Sequence, residues 1–382
     1  MKLKDLGTIF TGNTPKKSDK LNYNSNDICF VKPSDISEKE ITHINHTEYY
    51  IANHAYNSAR LAPKNSILVT CIGIIGKIAI LEKECAFNQQ INAIIPNEKK
   101  IIPYYLAYAL KYKKKSMQDK ANAPVVPIIN KTEFSEINIK VPSLEKQKKI
   151  VNILIKIDKI INWRFQQLNK LNQLVSSLFI EMFGDPWINN KNYTIDKLKN
   201  YCILNPLKEK NIKKDELCSF IGMASITENG DINTNNIKKF LEVSKGFTYF
   251  LENDVLFAKI TPCMENGKGA IAQNLCNGIG AGSTEFHVLR PLTNKSNPYW
   301  LYILTTLKHF RILAEKNMTG SAGQRRVPIS FLENFQLPIP PIELQENFAK
   351  KVQQIDKSKL AIQQSLEQLE TLKKSLMQEY FC

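Results

Sequence analysis

The sequence predicts a mixed α/β (α+β) protein in which two similar globular domains are separated by two long helices. The first observation is an internal repeat, since the sequence that begins at Val141 returns at Ile339, and Ile157 returns as Ile355, each 198 positions later. The second is an apolar stripe at helical spacing in both copies of that repeat. The third is the length of 382 residues, which exceeds what one hydrophobic core usually serves. We therefore expect one structural unit in two copies.

The first globular domain is assigned to residues 1–140 and the second to residues 187–337. Short β-rich runs such as residues 66–70 alternate with helical runs such as residues 104–112, as in a mixed α/β domain. The two domains match weakly but in the same order. Gly76-Lys77, for example, corresponds to Gly267-Lys268, whereas the loops between such matches differ. We expect shared fold positions with divergent loops.

A long helix is assigned to residues 141–186, and its second copy to residues 338–382. Pro142 suits the helix start, Glu145 suits the positive end of the helix dipole, and Gly184 followed by Pro186 ends the first helix. A helix of about 40 residues extends about 60 Å. Apolar positions at steps of three and four form a heptad stripe. The residues predicted to pack helix against helix are Ile150, Leu154, Ile157, Leu168, Leu171, Leu178, Val352, Ile355, Leu366, Leu369 and Leu376.

The two helices are expected to pair with each other as an antiparallel coiled coil. A stripe this long exceeds what one small domain can cover, and the other copy of the helix is the most economical partner. Such pairing would hold the globular domains apart and relate them by a pseudo-twofold axis. The alternative is that each helix packs on its own domain or on another chain.

The charge of the chain favours a polyanionic partner. The formal net charge is +16, of which residues 1–140 carry +7, residues 141–186 carry +3, residues 187–337 carry +6 and residues 338–382 carry none. Two separate basic regions suit a polyanion that is held at two places. The alternative is a solvated, lysine-rich surface.

Targeting segments and metal sites are not expected. The start of the sequence lacks the apolar segment of a signal peptide, and long apolar runs are absent, so we expect a soluble, cytoplasmic protein with no membrane contact. The eight cysteines include no C-x-x-C pair, and His43, His46 and His54 lack acidic or cysteine partners at ligand spacing.

Motifs of catalysis are also missing. Asn205-Pro206-Leu207 does not complete an adenine methyltransferase motif, and Gly73-Ile74-Ile75-Gly76-Lys77 lacks the spacing of a phosphate-binding loop. We expect no catalytic residues and no cofactor bound by this chain.

Several motifs, repeated in order, identify a family resemblance. They are Val-Pro-Ser-Leu-Glu-Lys-Gln at 141–147, Pro-Pro-Ile-Glu-Leu-Gln at 340–345, Phe-Gly-Asp-Pro at 183–186, and the segments 257–268, 282–286 and 319–328. Together they resemble the specificity subunit of type I restriction-modification systems, over essentially the whole chain. The first copy departs from the pattern at residues 121–127, where the Thr-Gly and Gln-Arg elements of the second copy are missing.

The resemblance implies a non-catalytic subunit with two target recognition domains. Each domain would read one half of a bipartite double-stranded DNA sequence, and the helices would act as a spacer and as a docking surface for two methyltransferase subunits. The methyltransferases would use S-adenosylmethionine, and restriction subunits, where they join, would use ATP and Mg²⁺. Half-sites about 34–36 Å apart would face the same side of the duplex, within the reach of helices of about 60 Å.

Candidate DNA-binding residues are basic and amide side chains placed in predicted loops. Lysine and arginine contact phosphates, and asparagine, glutamine, serine, threonine and arginine can read base edges. The candidates are Lys16, Lys17, Lys77, Asn88, Gln89 and Gln90 in the first domain, and Lys259, Asn266, Lys268, Ser283, Thr284, Gln324, Arg325 and Arg326 in the second. The alternative for each is a structural role, and Asn88, Gln89 and Gln90 would then satisfy a turn.

Two other functions compete with a DNA reader. A coiled-coil scaffold or adaptor without nucleic-acid contact would tolerate charge reversal in both domains. A catalyst would transfer methyl groups or cleave DNA as the isolated chain.

Overall fold

The computed structural model describes residues 1–121, 126–209, 212–321 and 323–382. The chain divides into two compact units. Unit 1 comprises Met1–Trp163 with Ser365–Cys382, and unit 2 comprises Arg164–Gln364. Each unit contains one globular domain and a part of each long helix.

Unit 1 is built on mixed β-sheets flanked by helices. Its strands are β1 (Gly7–Thr11), β2 (Ile28–Val31), β3 (Thr42–Ile44), β4 (Tyr50–Ile51), β5 (Leu61–Ala62), β6 (Ile67–Thr70), β7 (Ile78–Leu81), β8 (Cys85–Phe87) and β9 (Ile91–Pro96). Its helices are α1 (Pro103–Tyr112), α2 (Lys114–Asp119), α3 (Lys131–Ser135) and the first part of α4 (Leu144–Phe183). One sheet has the order β1-β9-β6-β7-β3, and another has the order β4-β2-β8-β5 with β2 and β8 parallel.

Unit 2 repeats this plan. Its strands are β10 (Ile195–Lys197), β11 (Cys202–Leu204), β12 (Leu217–Ile221), β13 (Ile237–Lys239), β14 (Thr248–Leu251), β15 (Val255–Ala258), β16 (Gly269–Ile271), β17 (Ile279–Gly282), β18 (Phe286–Pro291) and β19 (Gln336–Pro338). Its helices are α5 (Phe240–Val243), α6 (Pro298–Thr306), α7 (Lys308–Lys316), α8 (Ile329–Asn334) and most of α9 (Ile342–Phe381). The order β11-β18-β15-β16 matches β1-β9-β6-β7 of unit 1, and β12 and β17 form the parallel pair of the sheet β13-β12-β17-β14.

Strands β6 and β15 form the centre of the two cores because both of their faces are covered. Ile67 and Val69 point toward helix α1, whereas Leu68, on the opposite face, packs with the residues of β2 and β8. Strand β15 divides in the same way, with Val255 and Phe257 on the helix side and Leu256 on the other. A strand buried on both faces reads as a continuous apolar run, which explains why these segments show no alternation of polar and apolar residues.

In unit 1 the ends of α4 and α9 run antiparallel. Asp158 on α4 accepts hydrogen bonds from the Tyr108 hydroxyl (2.7 Å) and from Lys373 Nζ on α9. Lys140, just before α4, donates to the Cys382 carbonyl just after α9 (3.0 Å). These parts of the two helices therefore run in opposite directions.

In unit 2 the remaining parts of the two helices also pack together. The Phe348 ring on α9 meets the rings of Phe179 and Phe183 on α4 edge to face, with centroids 5.7 and 5.1 Å away. Further along, a turn at residues 227–231 is bonded to both helices, through Asn172 on α4 and Gln363 on α9 (3.3 Å each). The two helices therefore run antiparallel in unit 2 as well.

A buried glutamine joins each long helix to its globular domain. Gln147 accepts a hydrogen bond from the Ile102 amide (2.9 Å) and donates to the carbonyls of Lys100 (3.1 Å) and Pro142 (2.9 Å). Gln345 accepts from the Asn297 amide (2.9 Å) and donates to the Lys295 and Pro340 carbonyls. Both side chains are fully buried. This shared joint explains why the glutamine recurs in the repeated motif.

The predicted fold class is confirmed, including its internal repeat. Helices α4 and α9 begin at Leu144 and Ile342 and end at Phe183 and Phe381, so both boundaries are shifted by the 198 positions seen in the sequence. The residues predicted to pack helix against helix are all buried or half-buried. The domain boundaries at residues 140, 186 and 337 stay predictions.

Candidate nucleic-acid interface

In unit 2 the chain brings three loops together beside the ends of β15 and β17. They are residues 259–268, residues 283–285, and residues 317–328, of which Ala322 lies outside the described residues. The Lys259 amide donates to the Glu285 carbonyl (2.9 Å), and the Val327 amide donates to the Lys259 carbonyl (2.9 Å). The Thr261 amide donates to the Arg325 carbonyl (3.0 Å). We call these residues the unit 2 loop cluster.

Unit 1 contains an equivalent loop cluster, formed by residues 71–77, 88–90 and 121–130, with 122–125 outside the described residues. The Cys71 amide donates to the Gln90 carbonyl (2.8 Å), and the Ile129 amide donates to the Cys71 carbonyl (3.0 Å). These bonds reproduce the first two of the unit 2 cluster. The same backbone framework therefore carries different side chains in the two copies.

Most of the predicted DNA-binding residues lie on these two clusters. In unit 2 all eight do, with Asn266, Thr284 and Gln324 exposed at the loop surfaces. In unit 1, Lys77, Asn88, Gln89 and Gln90 lie on the cluster. Lys16 and Lys17 are exposed on the loop between β1 and β2. That loop reaches the cluster because the Thr14 hydroxyl donates to Gln89 Oε1 (2.7 Å). The predicted departure at residues 121–127 falls largely outside the described residues.

Lys77 and Lys268 act as tethers in equivalent positions. Lys77 Nζ donates to the Pro33 carbonyl (3.0 Å), and Lys268 Nζ donates to the Met223 carbonyl (3.3 Å), each at the first residue of a short 3-10 helix. The preceding glycines, Gly76 and Gly267, have φ of 81° and 87°, which favours glycine. Both lysines are therefore engaged by the protein itself.

Asn88 and Gln90 stabilise their own turn. Asn88 Nδ2 donates to Gln90 Oε1 (3.0 Å), and the Gln90 amide donates to Asn88 Oδ1 (3.1 Å). Asn88 is buried, whereas Gln89 is exposed. In this group Gln89 is the side chain with an open path to a ligand.

The two adjacent arginines of unit 2 differ in their engagement. Arg326 donates through Nε and Nη2 to both carboxylate oxygens of Glu285 (2.9 and 2.8 Å), and through Nη1 to the Gln324 carbonyl (2.9 Å). These bonds hold the pKa of Glu285 below its usual range. Arg325 Nη2 lies 3.7 Å from carboxylates of Glu265 and of Glu315, a looser contact. Arg325 is thus the more available of the pair.

His287 supports the cluster from beneath as a neutral side chain. Its Nε2 donates to the Val327 carbonyl (2.8 Å), and its Nδ1 accepts from Asn205 Nδ2 (3.2 Å). Burial lowers the pKa of His287 to about 4. In unit 1 the equivalent position is Asn92, which is also buried and accepts from the Thr11 hydroxyl (2.7 Å).

Sequence reasoning missed the side chains that hold these loops. Glu285 lies within one of the motifs at 282–286, but the order of residues does not reveal that its carboxylate pairs with Arg326. Arg311 could not be predicted, because a lone arginine in an amphipathic helix carries no signal of its own.

Among the described parts of the chain, no set of three or more His, Cys, Asp or Glu side chains is arranged to hold a metal ion. The helices there include none that is both long and apolar enough to cross a membrane.

Two curated relatives share part of the sequence. The chain is 41% identical over 145 residues to the type I restriction enzyme EcoEI specificity subunit of Escherichia coli, which covers 38% of this chain and 24% of that protein. It is 42% identical over 153 residues to the EcoAI specificity subunit of the same organism, which covers 40% and 26%. The matched part spans about a quarter of the length of these relatives.

A solved structure and a family model cover more of the chain. The crystal structure of the type I restriction-modification system S subunit from M. genitalium matches with a TM-score of 0.56 at 13% identity, over 100% of this chain and 95% of that one. This likeness concerns the fold. Residues 1–173 and 189–371 match the model of the family described as the type I restriction modification DNA specificity domain. Since that match includes both copies of the repeat, the chain belongs to this family.

Proposed function

We propose that this chain is the DNA sequence-recognition subunit of a type I restriction-modification complex, in which each globular domain reads one half of a bipartite target. The observation that carries the proposal is the loop cluster found once in each unit. Both clusters share their backbone hydrogen bonds but differ in their polar side chains. Two different half-sites require this combination, a common scaffold with different reading loops.

The side chains divide into two roles under this proposal. The exposed Lys16 and Lys17 suit phosphate contacts, which give affinity and position the duplex. The exposed side-chain amides of Gln89, Asn266 and Gln324 and the exposed hydroxyl of Thr284 suit base edges in the major groove. Lys77, Lys268 and Arg326 act through the loops that they hold.

The reading domains would correspond to residues 1–140 and 187–337, and the spacer helices to residues 141–186 and 338–382. The chain itself would be non-catalytic. Two methyltransferase subunits that use S-adenosylmethionine would dock on it, and restriction subunits with ATP and Mg²⁺ would join in a cleaving complex. Membership of the family of type I restriction modification DNA specificity domains supports the assignment of DNA recognition to this chain.

The test is to co-express the chain with its methyltransferase subunit and to map modified bases by long-read sequencing. We expect a split motif with a fixed, non-specific spacer, and no such motif with the methyltransferase alone. Absence of a new modification despite a stable complex would favour the scaffold function instead. Methyl transfer or cleavage by the purified chain alone would favour a catalyst.

Duplex binding provides a second readout. Affinity of the complex for a duplex that carries the mapped motif should fall steeply with salt, because bound phosphates release counterions. Charge reversal at Lys16 and Lys17 should reduce the salt dependence. The matched control is charge reversal at Lys213 and Lys214, which are exposed just before β12, at the end of that strand opposite the unit 2 loop cluster. Equal effects of both pairs would contradict the assigned interface.

A further inference from the structure

Arg311 on helix α7 lies beneath the first loop of the unit 2 cluster. Its guanidinium donates through Nη1 to the Met264 carbonyl (2.6 Å) and through Nη2 to the carbonyls of Gly267 (3.1 Å) and Lys268 (3.5 Å). Its Nε donates to the Thr305 carbonyl in α6 (2.5 Å). One side chain thus fastens the loop to the helical layer.

The charge of Arg311 is held without a carboxylate hydrogen-bond partner. Only 6% of the residue is exposed, and burial lowers its pKa to about 10, so the guanidinium is still protonated at neutral pH. Four carbonyls accept hydrogen bonds from its nitrogens, and the centroid of the Phe257 ring lies 4.9 Å from its central carbon. An ammonium group could not reach these divergent acceptors, because it is a compact donor without the planar fork.

The equivalent loop of unit 1 is shorter and is held differently. Five residues separate Cys71 from Lys77, whereas eight separate Lys259 from Lys268. In unit 1 a single bond, from Gln118 Nε2 on α2 to the Ile75 carbonyl (3.3 Å), takes the place of the arginine fork. The longer loop therefore has the more elaborate support.

The exposed end of the longer loop carries Asn266, one residue before Gly267. The Asn266 amide donates to the Pro262 carbonyl (3.0 Å), and the Lys268 amide donates to the Cys263 carbonyl (3.0 Å). These bonds shape the loop, and Arg311 fixes its location relative to α6 and α7. A shift of the carbonyls at 264 and 267 would displace the Asn266 side chain between them.

We propose that Arg311 is a positioning residue for base selection in one half-site, acting through the loop that carries Asn266. This inference rests on the proposed function, since it requires that unit 2 reads DNA. It assigns specificity to a side chain that is too buried to touch the duplex itself.

The test compares base preferences in the methylome of the co-expressed complex. The variant Arg311→Lys retains the charge and loses the fork, and Asn266→Ala removes the loop-tip amide. Both should reduce the preference at the same base position about tenfold, the discrimination of one good base contact. The half-site read by unit 1 should be unchanged, and it serves as the internal control. The matched control variant is Lys308→Ala, an exposed position at the start of α7.

Each outcome separates the possible roles. Degeneracy in one half-site, at the position that also responds to Asn266→Ala, supports the proposal. Full specificity of Arg311→Lys at both half-sites overturns it. A uniform fall in methylation with unchanged base preference also overturns it, because it indicates a purely structural role. Absence of any split motif with the unaltered chain would refute the proposed function itself.

A milder variant covers the case in which Arg311→Lys does not accumulate. Phe257→Leu keeps the strand apolar and removes the ring beneath the guanidinium, so the fork should lose part of its orientation. We expect a smaller loss of preference at the same base position. Unchanged preference in Phe257→Leu, together with a lost complex in Arg311→Lys, would overturn the proposal.

Discussion

The buried ion pair between Asp254 and Arg290 in unit 2 has an apolar and hydroxyl counterpart in unit 1. Arg290 Nε and Nη2 donate to the two carboxylate oxygens of Asp254 (2.9 and 2.8 Å), and Asp254 is 1% exposed. The strand registers Ile67 with Ile94 and Val255 with Leu289 make Ser66 and Ile95 the equivalent positions of unit 1. The double variant D254S/R290I therefore transplants a pair that the other copy already uses.

The two single variants should lower the free energy of unfolding by different amounts. D254S leaves a guanidinium whose side chain is 21% exposed, so water can solvate part of it, and we expect a loss of about 2 kcal/mol in the free energy of unfolding. R290I leaves a buried carboxylate with one remaining hydrogen bond, from the Leu251 amide (2.8 Å), and should cost about 4 kcal/mol. The double variant leaves neither charge and should cost about 3 kcal/mol, which gives a coupling energy of about 3 kcal/mol.

Urea unfolding of the full-length chain, followed by tryptophan fluorescence, measures these differences. Trp300 is buried in the same core cluster as Val255 and Leu289, so its emission reports on the strands that carry the pair. From the highest to the lowest urea midpoint, the expected order is the unaltered chain, D254S, the double variant and R290I. A double variant as unstable as the sum of both single variants, about 6 kcal/mol, would refute the reasoning, because it would show that the pair is not coupled.

The remaining predictions concern the loop cluster and the helices. Arg326→Ala should lower the thermal midpoint because it frees Glu285, whereas Arg325→Ala should leave the midpoint unchanged and alter base preference in one half-site; equal midpoint shifts in differential scanning fluorimetry would contradict this division. Burial holds the pKa of His287 at about 4, below the 6.5 of the unfolded chain. The unfolded state therefore binds the proton first, and this residue should destabilise the fold by up to about 3 kcal/mol as the pH falls from 6.5 to 4. The variant His287→Asn, which copies Asn92, should remove this pH dependence. If the difference in urea midpoint between the variant and the unaltered chain stays constant with pH, His287 is not the source of the dependence. Deletion of one heptad from both long helices should change the spacer of the mapped motif and leave both half-sites intact, and an altered half-site would show that helix and reading loops are not independent.

The repeat and the long helices could be predicted because helices preserve spacing. An insertion inside a packed helix would rotate every later apolar residue off its face. The offset of 198 positions, as between Ile157 and Ile355, is therefore the same along the whole helix. The globular copies matched only at isolated positions, since their loops accept insertions without such a penalty. The constant offset therefore predicted the long helices more reliably than the details of the globular domains.

The candidate loops could be predicted better than the roles of their side chains. Lys77 and Lys268 are basic residues in predicted loops, which favours phosphate contacts, yet each ammonium is bonded to a main-chain carbonyl. The carbonyl acceptors of Arg311 are likewise main-chain groups, which leave no signature in the sequence. Hydrogen bonds to the backbone across 44 or more positions depend on the tertiary fold, and local patterns could not reveal them.

The glutamine joints have a consequence for how such chains can be recombined. Gln147 and Gln345 form their side-chain hydrogen bonds with main-chain amide and carbonyl groups, namely those of Lys100, Pro142 and Ile102 in one copy and their equivalents in the other. The joint itself therefore depends on the backbone of the domain and not on the identity of the side chains at those positions. A globular domain with a foreign preference that is grafted at this seam would keep the joint, provided that it also supplies the side chains that pack on the helix, as Tyr108 does against Asp158.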